Sequence, residues 1–144
     1  DMPEITLDAG WNQAQIITLV NNGHALEIRP SASAKMALLD ETYTLLQCHY
    51  HYGSEHTVGG TQHDLCVHCV HSRDVVPDGG RTHAVLGRFY STSGGGGIDD
   101  GFLAHFTEDL PPSPGEEESY VDVTPSTPVT LSSLVDGADM THYW

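Results

Sequence analysis

Three histidines, His49, His51 and His68, are the residues whose types and spacing best suit metal chemistry. Alternate side chains of a strand share a face, so His49 and His51 should lie on one side, roughly 6–7 Å apart along the backbone. A neighbouring strand that carries His68 can bring a third imidazole toward this pair. Three neutral nitrogen ligands with one open position are typical of catalytic zinc. The spacing therefore predicts a zinc site on one face of a sheet.

The strands that must position these histidines are predicted at residues 42–52 and 65–71, where β-branched and aromatic residues are frequent. Asn21-Asn22-Gly23 predicts a hairpin turn, because Asn and Gly tolerate positive φ. Further strands are predicted at residues 15–20, 24–29, 35–39 and 83–90. The pattern predicts a mainly β protein with one short helix and long loops, in one domain over residues 1–144.

The second half of the chain is predicted to be less regular. Helical spacing with an acidic start predicts a short helix at residues 99–108. The segment 110–128 is rich in Pro, Ser and Glu and predicts an irregular surface loop. A short helical turn is expected at residues 130–135, and residues 140–144 are typical of the beginning of another strand.

The composition excludes several classes of partner. The chain has 144 residues, with 20 acidic against 5 basic side chains and a formal charge of −15. Nucleic acid and anionic membranes need basic patches, so neither is an expected partner. No run of 18 apolar residues exists, so no membrane insertion is expected. The acidic excess favours a saline or extracellular setting.

The cysteines predict no disulfide framework, because their number, three, is odd. Cys66 and Cys69 fall on opposite faces of one predicted strand, so they are poorly placed to pair with each other. The redox compartment stays open at this point.

Several motifs in order resemble the α-class carbonic anhydrases. Gln47 to Gly53 stands as Gln-x-His-x-His-aromatic-Gly, Ser54 to Val58 as Ser-Glu-His-Thr-Val, and Cys66 to His71 as x-x-His-x-Val-His. The segments 21–24 and 84–89 resemble the family's Asn-Gly-His hairpin and its Ala-Val-Leu-Gly strand. The resemblance covers nearly the whole chain in register, and it implies a central, twisted and largely antiparallel sheet.

This resemblance implies that the zinc ligands are His49, His51 and His68, and that a zinc-bound hydroxide attacks carbon dioxide to give bicarbonate. It implies that Glu55 is a buried carboxylate that fixes the hydroxyl beside the zinc-bound hydroxide. It implies that His24 carries protons to solvent, a task that suits an imidazole. The implied supporting residues are Gln47, His56 and Cys66 around the ligands, and Val70 and Val85 in the apolar pocket for carbon dioxide.

Two departures from the family pattern bear on activity. Cys66 stands where the family usually has a Glu that accepts a hydrogen bond from the third ligand, and a thiol is a poorer acceptor. As a thiolate, Cys66 would also be able to approach the metal itself. The chain ends at Trp144, before the family's Gly-Ser-Leu-Thr-Thr-Pro segment, so the sheet is expected to be incomplete at its C-terminal side.

Three explanations of that ending stay open: an excerpt of a longer protein, which is favoured, completion by another chain, or a reduced domain. The predicted function is zinc-dependent hydration of carbon dioxide. The alternative is a carbonic-anhydrase-like domain with weak or no activity that serves as a structural or interaction module. A secreted, extracellular or other non-cytosolic location is favoured. Zinc storage has little support, since the sequence offers a single site.

Overall fold

The computed structural model describes residues 3–73, 75–76, 79–91, 102–105, 111–113, 119–123 and 129–135. Short 3-10 helices occur at Ala9–Asn12, Leu103–His105 and Leu131–Val135. The strands are β1 (Thr6–Leu7), β2 (Ile17–Asn21), β3 (Leu26–Pro30), β4 (Lys35–Leu38), β5 (Glu41–Tyr52), β6 (Thr57–Val58), β7 (Thr61–Gln62), β8 (Leu65–Ser72), β9 (His83–Tyr90) and β10 (Ser119–Val123).

The long strand β5 organises the main sheet. One edge of β5 pairs with β8, which in turn pairs with β9. The other edge pairs first with β4 and then with β3, and β3 continues through β2 to β10. All these pairings are antiparallel. β6 and β7 form a separate small hairpin between β5 and β8.

A β-bulge divides β5 just before its histidines. The β5–β8 register changes between Leu45 and Gln47, so Leu46 is the extra residue on β5. Tyr43 and Leu45 are buried before the bulge, and Cys48 and Tyr50 are buried after it. The extra residue therefore moves burial from odd to even positions, as expected when side chains alternate across a strand. Gln47 and the histidines that follow it thus point away from the apolar core.

The core lies on the other face of the β5–β8 pair. Side chains from strands β2, β3, β5 and β8 pack there against residues from the 3-10 helices and the segment 129–135. The cluster contains Trp11, Ile17, Leu19, Ile28, Ala34, Leu45, Cys48, Tyr50, Val67, Cys69, Phe102, Val129, Leu131 and Leu134. Burial of this apolar surface stabilises the sheet on one face and leaves the opposite face free to carry polar side chains.

The mainly β fold with a largely antiparallel sheet is confirmed, and the strands lie close to their predicted bounds. The short helical turn at 130–135 is also confirmed as a 3-10 helix. No helix among the described residues is long and apolar enough to cross a bilayer.

The second half of the chain differs in part from the predicted loop and helix. The segment 110–128 was predicted to be irregular throughout, and this is wrong for Ser119–Val123, which pairs with β2. Of the helix predicted at 99–108, the described part forms only the 3-10 helix Leu103–His105. The strand predicted at 140–144 lies outside the described residues, and so does the rest of that helix.

Candidate metal centre

The sheet register brings the three predicted ligands together. His49 on β5 pairs directly with His68 on β8, and His51 pairs with Cys66 on the same face. The ring centroids lie 4.8 Å apart for His49 and His51, 5.6 Å for His49 and His68, and 5.1 Å for His51 and His68. One nitrogen from each ring lies within 4.8 Å of the other two. Three imidazoles thus converge on a small volume.

Hydrogen bonds around the rings indicate which nitrogen of each histidine is free for a metal. His49 Nδ1 lies 2.8 Å from Gln47 Oε1, an acceptor, so Nδ1 carries the proton and Nε2 keeps its lone pair. His68 Nε2 lies 3.7 Å from Cys66 Sγ, which leaves Nδ1 on the side of the cluster. His51 Nε2 is buried and has no hydrogen-bond partner.

His51 Nε2, which is buried without a hydrogen bond and has the Glu55 carboxylate 3.6 Å away, is the strongest sign that the cluster fits a cation. A buried polar atom normally finds a hydrogen bond, because leaving it unsatisfied costs free energy. A metal ion between the rings would satisfy this nitrogen together with the free nitrogens of His49 and His68. Three imidazole nitrogens suit zinc and other borderline metals better than calcium or magnesium, which prefer oxygen.

The electrostatics keep two of the imidazoles neutral. Burial lowers the pKa of His49 and of His68 below 6.5, and the nearby His51 lowers both pKa values further. Glu55 acts in the opposite direction on both rings without reversing the shift. Neutral imidazole is the form that binds metals, so these shifts prepare the site at neutral pH.

Glu55 lies beside the cluster, but it is not buried as the resemblance implied. Its side chain is 55 % exposed, with Oε2 at 3.6 Å from His51 Nε2 and 3.5 Å from His68 Nδ1. The exposure follows from its position in the turn after β5. The carboxylate therefore faces the two nitrogens that a metal would contact.

The turn between β5 and β6 also places His56. Ser54, which is buried, accepts a hydrogen bond from the His63 backbone at 2.8 Å and donates one to the His56 carbonyl at 2.7 Å. Gly53, with φ 73°, begins this turn in a conformation that suits glycine. The His56 ring packs edge-on against His68, with centroids 5.4 Å apart. His56 is exposed, and its predicted place in a polar network behind the ligands stays a prediction.

Val70 and Val85 are neighbours on adjacent strands. They pair across β8 and β9, one step along the same face from His68 and Gly87. Val70 is partly buried, and Val85 is 56 % exposed. Together they form an apolar patch next to the ligands, open to solvent on the β9 side.

His24 is the predicted site residue that the structure does not bring to the cluster. It borders a surface pocket whose other walls include Tyr50, Tyr52, Leu65 and Leu103. Among the described residues, no hydrogen bond, ion pair or ring contact joins His24 to the three histidines. Its assignment as a proton carrier stays a prediction.

Two features near the site were missed from the sequence. Glu27 on β3 pairs with His49, is only 9 % exposed and forms an ion pair with Arg29 at 2.6 Å. Cys48 and Cys69 form a disulfide across β5 and β8, a pairing that the number and spacing of the cysteines did not define. The register that pairs His49 with His68 also pairs Cys48 with Cys69. The predicted pairing of the two histidines could therefore have predicted this disulfide from the sequence. Cys66 is the free, buried cysteine.

The chain is similar to several known proteins. A family model described as eukaryotic-type carbonic anhydrase matches residues 1–144. Alpha carbonic anhydrase 4 of Arabidopsis thaliana is 41% identical over 73 residues, which are 50% of this chain and 26% of that protein. Carbonic anhydrase 6 of Homo sapiens is 36% identical over 92 residues, which are 54% of this chain and 30% of that protein.

The fold also resembles solved structures. The α-carbonic anhydrase of Photobacterium profundum superposes with a TM-score of 0.73 at 22% identity, over 97% of this chain and 56% of that one. The chain thus spans little more than half of this structural neighbour, and its matches to the curated relatives cover less than a third of each.

Proposed function

Because the chain belongs to the eukaryotic-type carbonic anhydrase family, we propose that its histidine cluster binds zinc and serves the reversible hydration of carbon dioxide. The products are bicarbonate and a proton. The observation that carries this proposal is the convergence of His49, His51 and His68, whose donor nitrogens lie within 4.8 Å of one another. The buried Nε2 of His51, which has no hydrogen-bond partner, supports the same assignment.

The chain's own residues prepare the site in three ways. Gln47 Oε1 holds the proton of His49 on Nδ1 and so directs Nε2 toward the centre of the cluster. Burial keeps His49 and His68 neutral, which removes proton competition at neutral pH. Zinc held by the three rings would supply a Lewis acid that lowers the pKa of a bound water to about 7. In this proposal, no strongly basic side chain is needed to remove a proton from the attacking water.

The remaining assignments belong to the same proposal. Val70 and Val85 offer an apolar surface beside the ligands that suits carbon dioxide, which is uncharged and linear. His24 carries the released proton to solvent. Glu55 accepts a hydrogen bond from a hydroxyl that orients the attacking oxygen. We propose that this hydroxyl comes from a further segment of the protein or from another chain, which also extends the sheet.

Zinc binding and turnover can be tested together. We expect the purified protein to hold stoichiometric zinc and to accelerate carbon dioxide hydration in a stopped-flow pH-indicator assay. His68→Ala should lose the zinc, because it removes one of three ligands from the site. The matched control is His83→Ala, since His83 lies at the exposed start of β9 and bonds Thr82. A protein that purifies without zinc, and does not take it up, would contradict the proposal.

A second candidate function has one specific observation in its favour. Glu55 is 55 % exposed and faces imidazole nitrogens instead of a hydroxyl, which fits a domain that binds zinc without turnover and serves as a structural or interaction module. The rate of carbon dioxide hydration by the zinc-loaded protein distinguishes the two functions. Stoichiometric zinc with hydration at the uncatalysed rate, in the presence of any further segment of the protein, would favour the module.

We also propose that the protein works in an oxidising, non-cytosolic compartment. The support is the Cys48–Cys69 disulfide, because disulfides persist in secreted and periplasmic proteins and are rare in the cytosol. Thiol labelling of protein taken directly from cells should find Cys66 as the single free cysteine. Labelling of all three cysteines would contradict this location.

A further inference from the structure

We propose that the Cys48–Cys69 disulfide is a positioning element of the metal centre, and that zinc affinity depends on it. This inference rests on the zinc site proposed above. It assigns a role to a crosslink that lies outside the ligand set and on the opposite face of the same two strands.

The register places the disulfide directly behind the ligands. Cys48 pairs with Cys69, and the next pair along the ladder is His49 with His68. Each cysteine is therefore the chain neighbour of a ligand, and the crosslink spans the same two strands that the metal would span. Side chains alternate, so the sulfurs point into the core while the imidazoles point out of it. Both cysteines are buried, with 0% and 1% exposure.

The need for such a crosslink follows from the bulge. The ladder shifts register between Leu45 and Gln47, so the pairing before the bulge does not determine the pairing after it. On the other edge, β3 contacts the histidine part of β5 at only three pairs, Leu26 to Ile28. A slip of one residue would send His49 to the opposite face from His68. The disulfide fixes the register on the same side of the bulge as the ligands.

The third cysteine cannot take over this role within the observed register. Cys66 pairs with His51 on the ligand face, and its sulfur lies 3.7 Å from His68 Nε2. Exchange of the disulfide to Cys66 would require β8 to change face against β5. Cys66 therefore stays on the ligand face as long as the Cys48–Cys69 bond fixes the register of β8 against β5.

Reduction breaks the S–S bond by adding two electrons and two protons, which leaves two thiols. With a water-soluble phosphine as reductant, the phosphine supplies the electrons and becomes a phosphine oxide, taking its oxygen from water. Both sulfur atoms stay in the core, so the reduced protein keeps the packing volume and loses only the covalent link. Reduction is thus a milder change than substitution of the two cysteines.

The test compares zinc affinity in four forms of the protein: oxidised, reduced and desalted under nitrogen, Cys48→Ala/Cys69→Ala, and Leu19→Ala. The last is the control, because Leu19 is fully buried on β2, two strands from β5, and its truncation weakens the core with the disulfide intact. Zinc affinity is measured by competition with a chromophoric chelator, and Co²⁺ is added separately to record the ligand-field spectrum. Folding is checked by circular dichroism.

We expect reduction and the double substitution each to weaken zinc binding about tenfold or more, the size typical for loss of a group that orients a ligand. The Co²⁺ spectrum should lose intensity as the tetrahedral set loosens. Leu19→Ala should lower the unfolding temperature with little change in affinity or spectrum.

Equal affinities in the oxidised and reduced forms would overturn this inference and leave the zinc site intact. Equal losses in Leu19→Ala would do the same, because the effect would then be one of general stability. If the double variant does not fold, the reduced wild type decides. Absence of zinc binding in every form would refute the proposed function instead, and three free thiols in the air-purified protein would overturn the crosslink itself.

Discussion

His49 and His68 face each other across the β5–β8 ladder, but their surroundings support the two rings differently. His49 has a short hydrogen bond from Nδ1 to Gln47 Oε1, at 2.8 Å. The corresponding atom of His68, Nε2, has only the Cys66 sulfur at 3.7 Å. An amide oxygen is a good acceptor and a thiol is a weak one. One ligand is therefore firmly oriented, and the other is held mainly by packing.

The identity of the ligands and the support behind them are therefore separate properties of a metal site. The structure brings all three imidazoles together, yet the groups behind them differ in strength. Because outer partners raise the basicity of a ligand and fix its orientation, the His68 side is expected to limit zinc affinity. The following predictions test that expectation from the firmly held ring to the loosely held one.

Gln47→Leu should have the largest effect. It removes the acceptor from His49 Nδ1 and leaves a similar volume, so we expect zinc affinity to fall about 10–100-fold. Gln47→Glu keeps an acceptor at the same distance and is the matched control. Chelator competition measures both. Equal zinc affinity in Gln47→Leu and the wild type would mean that the hydrogen bond does not orient the ring.

Cys66→Glu should act in the opposite direction by giving His68 a strong acceptor. We expect zinc affinity to rise by up to about tenfold, the lower end of the range for such partners. Cys66→Ala should change affinity only slightly, because a sulfur at 3.7 Å contributes little. If Cys66→Ala instead abolishes zinc binding, the thiol is itself a ligand of the metal. The Cys66 sulfur would then bind the metal and would not act as a hydrogen-bond partner of His68, as Gln47 does for His49.

The sequence predicted the ligand face well because that face depends on alternation alone. Spacing placed Gln47, His49 and His51 on one side of β5, whereas the approach of His68 depends on pairing with β8, which the family resemblance implied. Strand bounds also agreed closely, as expected where β-branched runs end at Gly, Asn or Pro. The alternation within β5 and the strand bounds are local, so a single segment carries the information for them.

The features that sequence missed depend on pairing between distant segments. The bulge at Leu46 and the Cys48–Cys69 bond exist only once β5 and β8 lie side by side. Ser119–Val123 forms a strand because β2 offers an edge, although its neighbours in sequence favour a loop. The exposure of Glu55 likewise depends on what the turn packs against. Tertiary contacts decide such details.

His71 extends the comparison to a histidine of β8 on the core face. It is fully buried, its Nδ1 lies 2.9 Å from the Cys69 carbonyl oxygen, and burial lowers its pKa below 6.5. The unfolded chain therefore binds the proton more readily than the folded one. In the metal-free protein, the contribution of His71 to stability is fully present above pH 6.5 and is lost as the pH falls from 6.5 toward the lowered pKa.

Each unit of pKa depression corresponds to about 1.4 kcal/mol of unfolding free energy. Urea unfolding between pH 7 and pH 5 should show a smaller loss of stability in His71→Gln than in the wild type, because the glutamine does not titrate. His83→Gln, at an exposed position, should keep the wild-type pH dependence. An identical slope in His71→Gln and wild type would assign the acid sensitivity to other groups.

Glu55→Gln should have the smallest effect on zinc affinity. The carboxylate lies 3.5 Å from His68 Nδ1 and 3.6 Å from His51 Nε2, but its side chain is 55 % exposed, so solvent screens much of its charge. We expect a change of about twofold, in the direction of weaker binding, because the lost negative charge attracted the cation. Chelator competition at low and high salt measures this change in zinc affinity, and Glu4→Gln, remote from the histidines, is the control.

A loss of zinc affinity of tenfold or more that persists in high salt would show that Glu55 coordinates the metal directly. His68, the less firmly supported ring, would then share its metal with a carboxylate on the solvent side, and its weak contact with Cys66 would matter less.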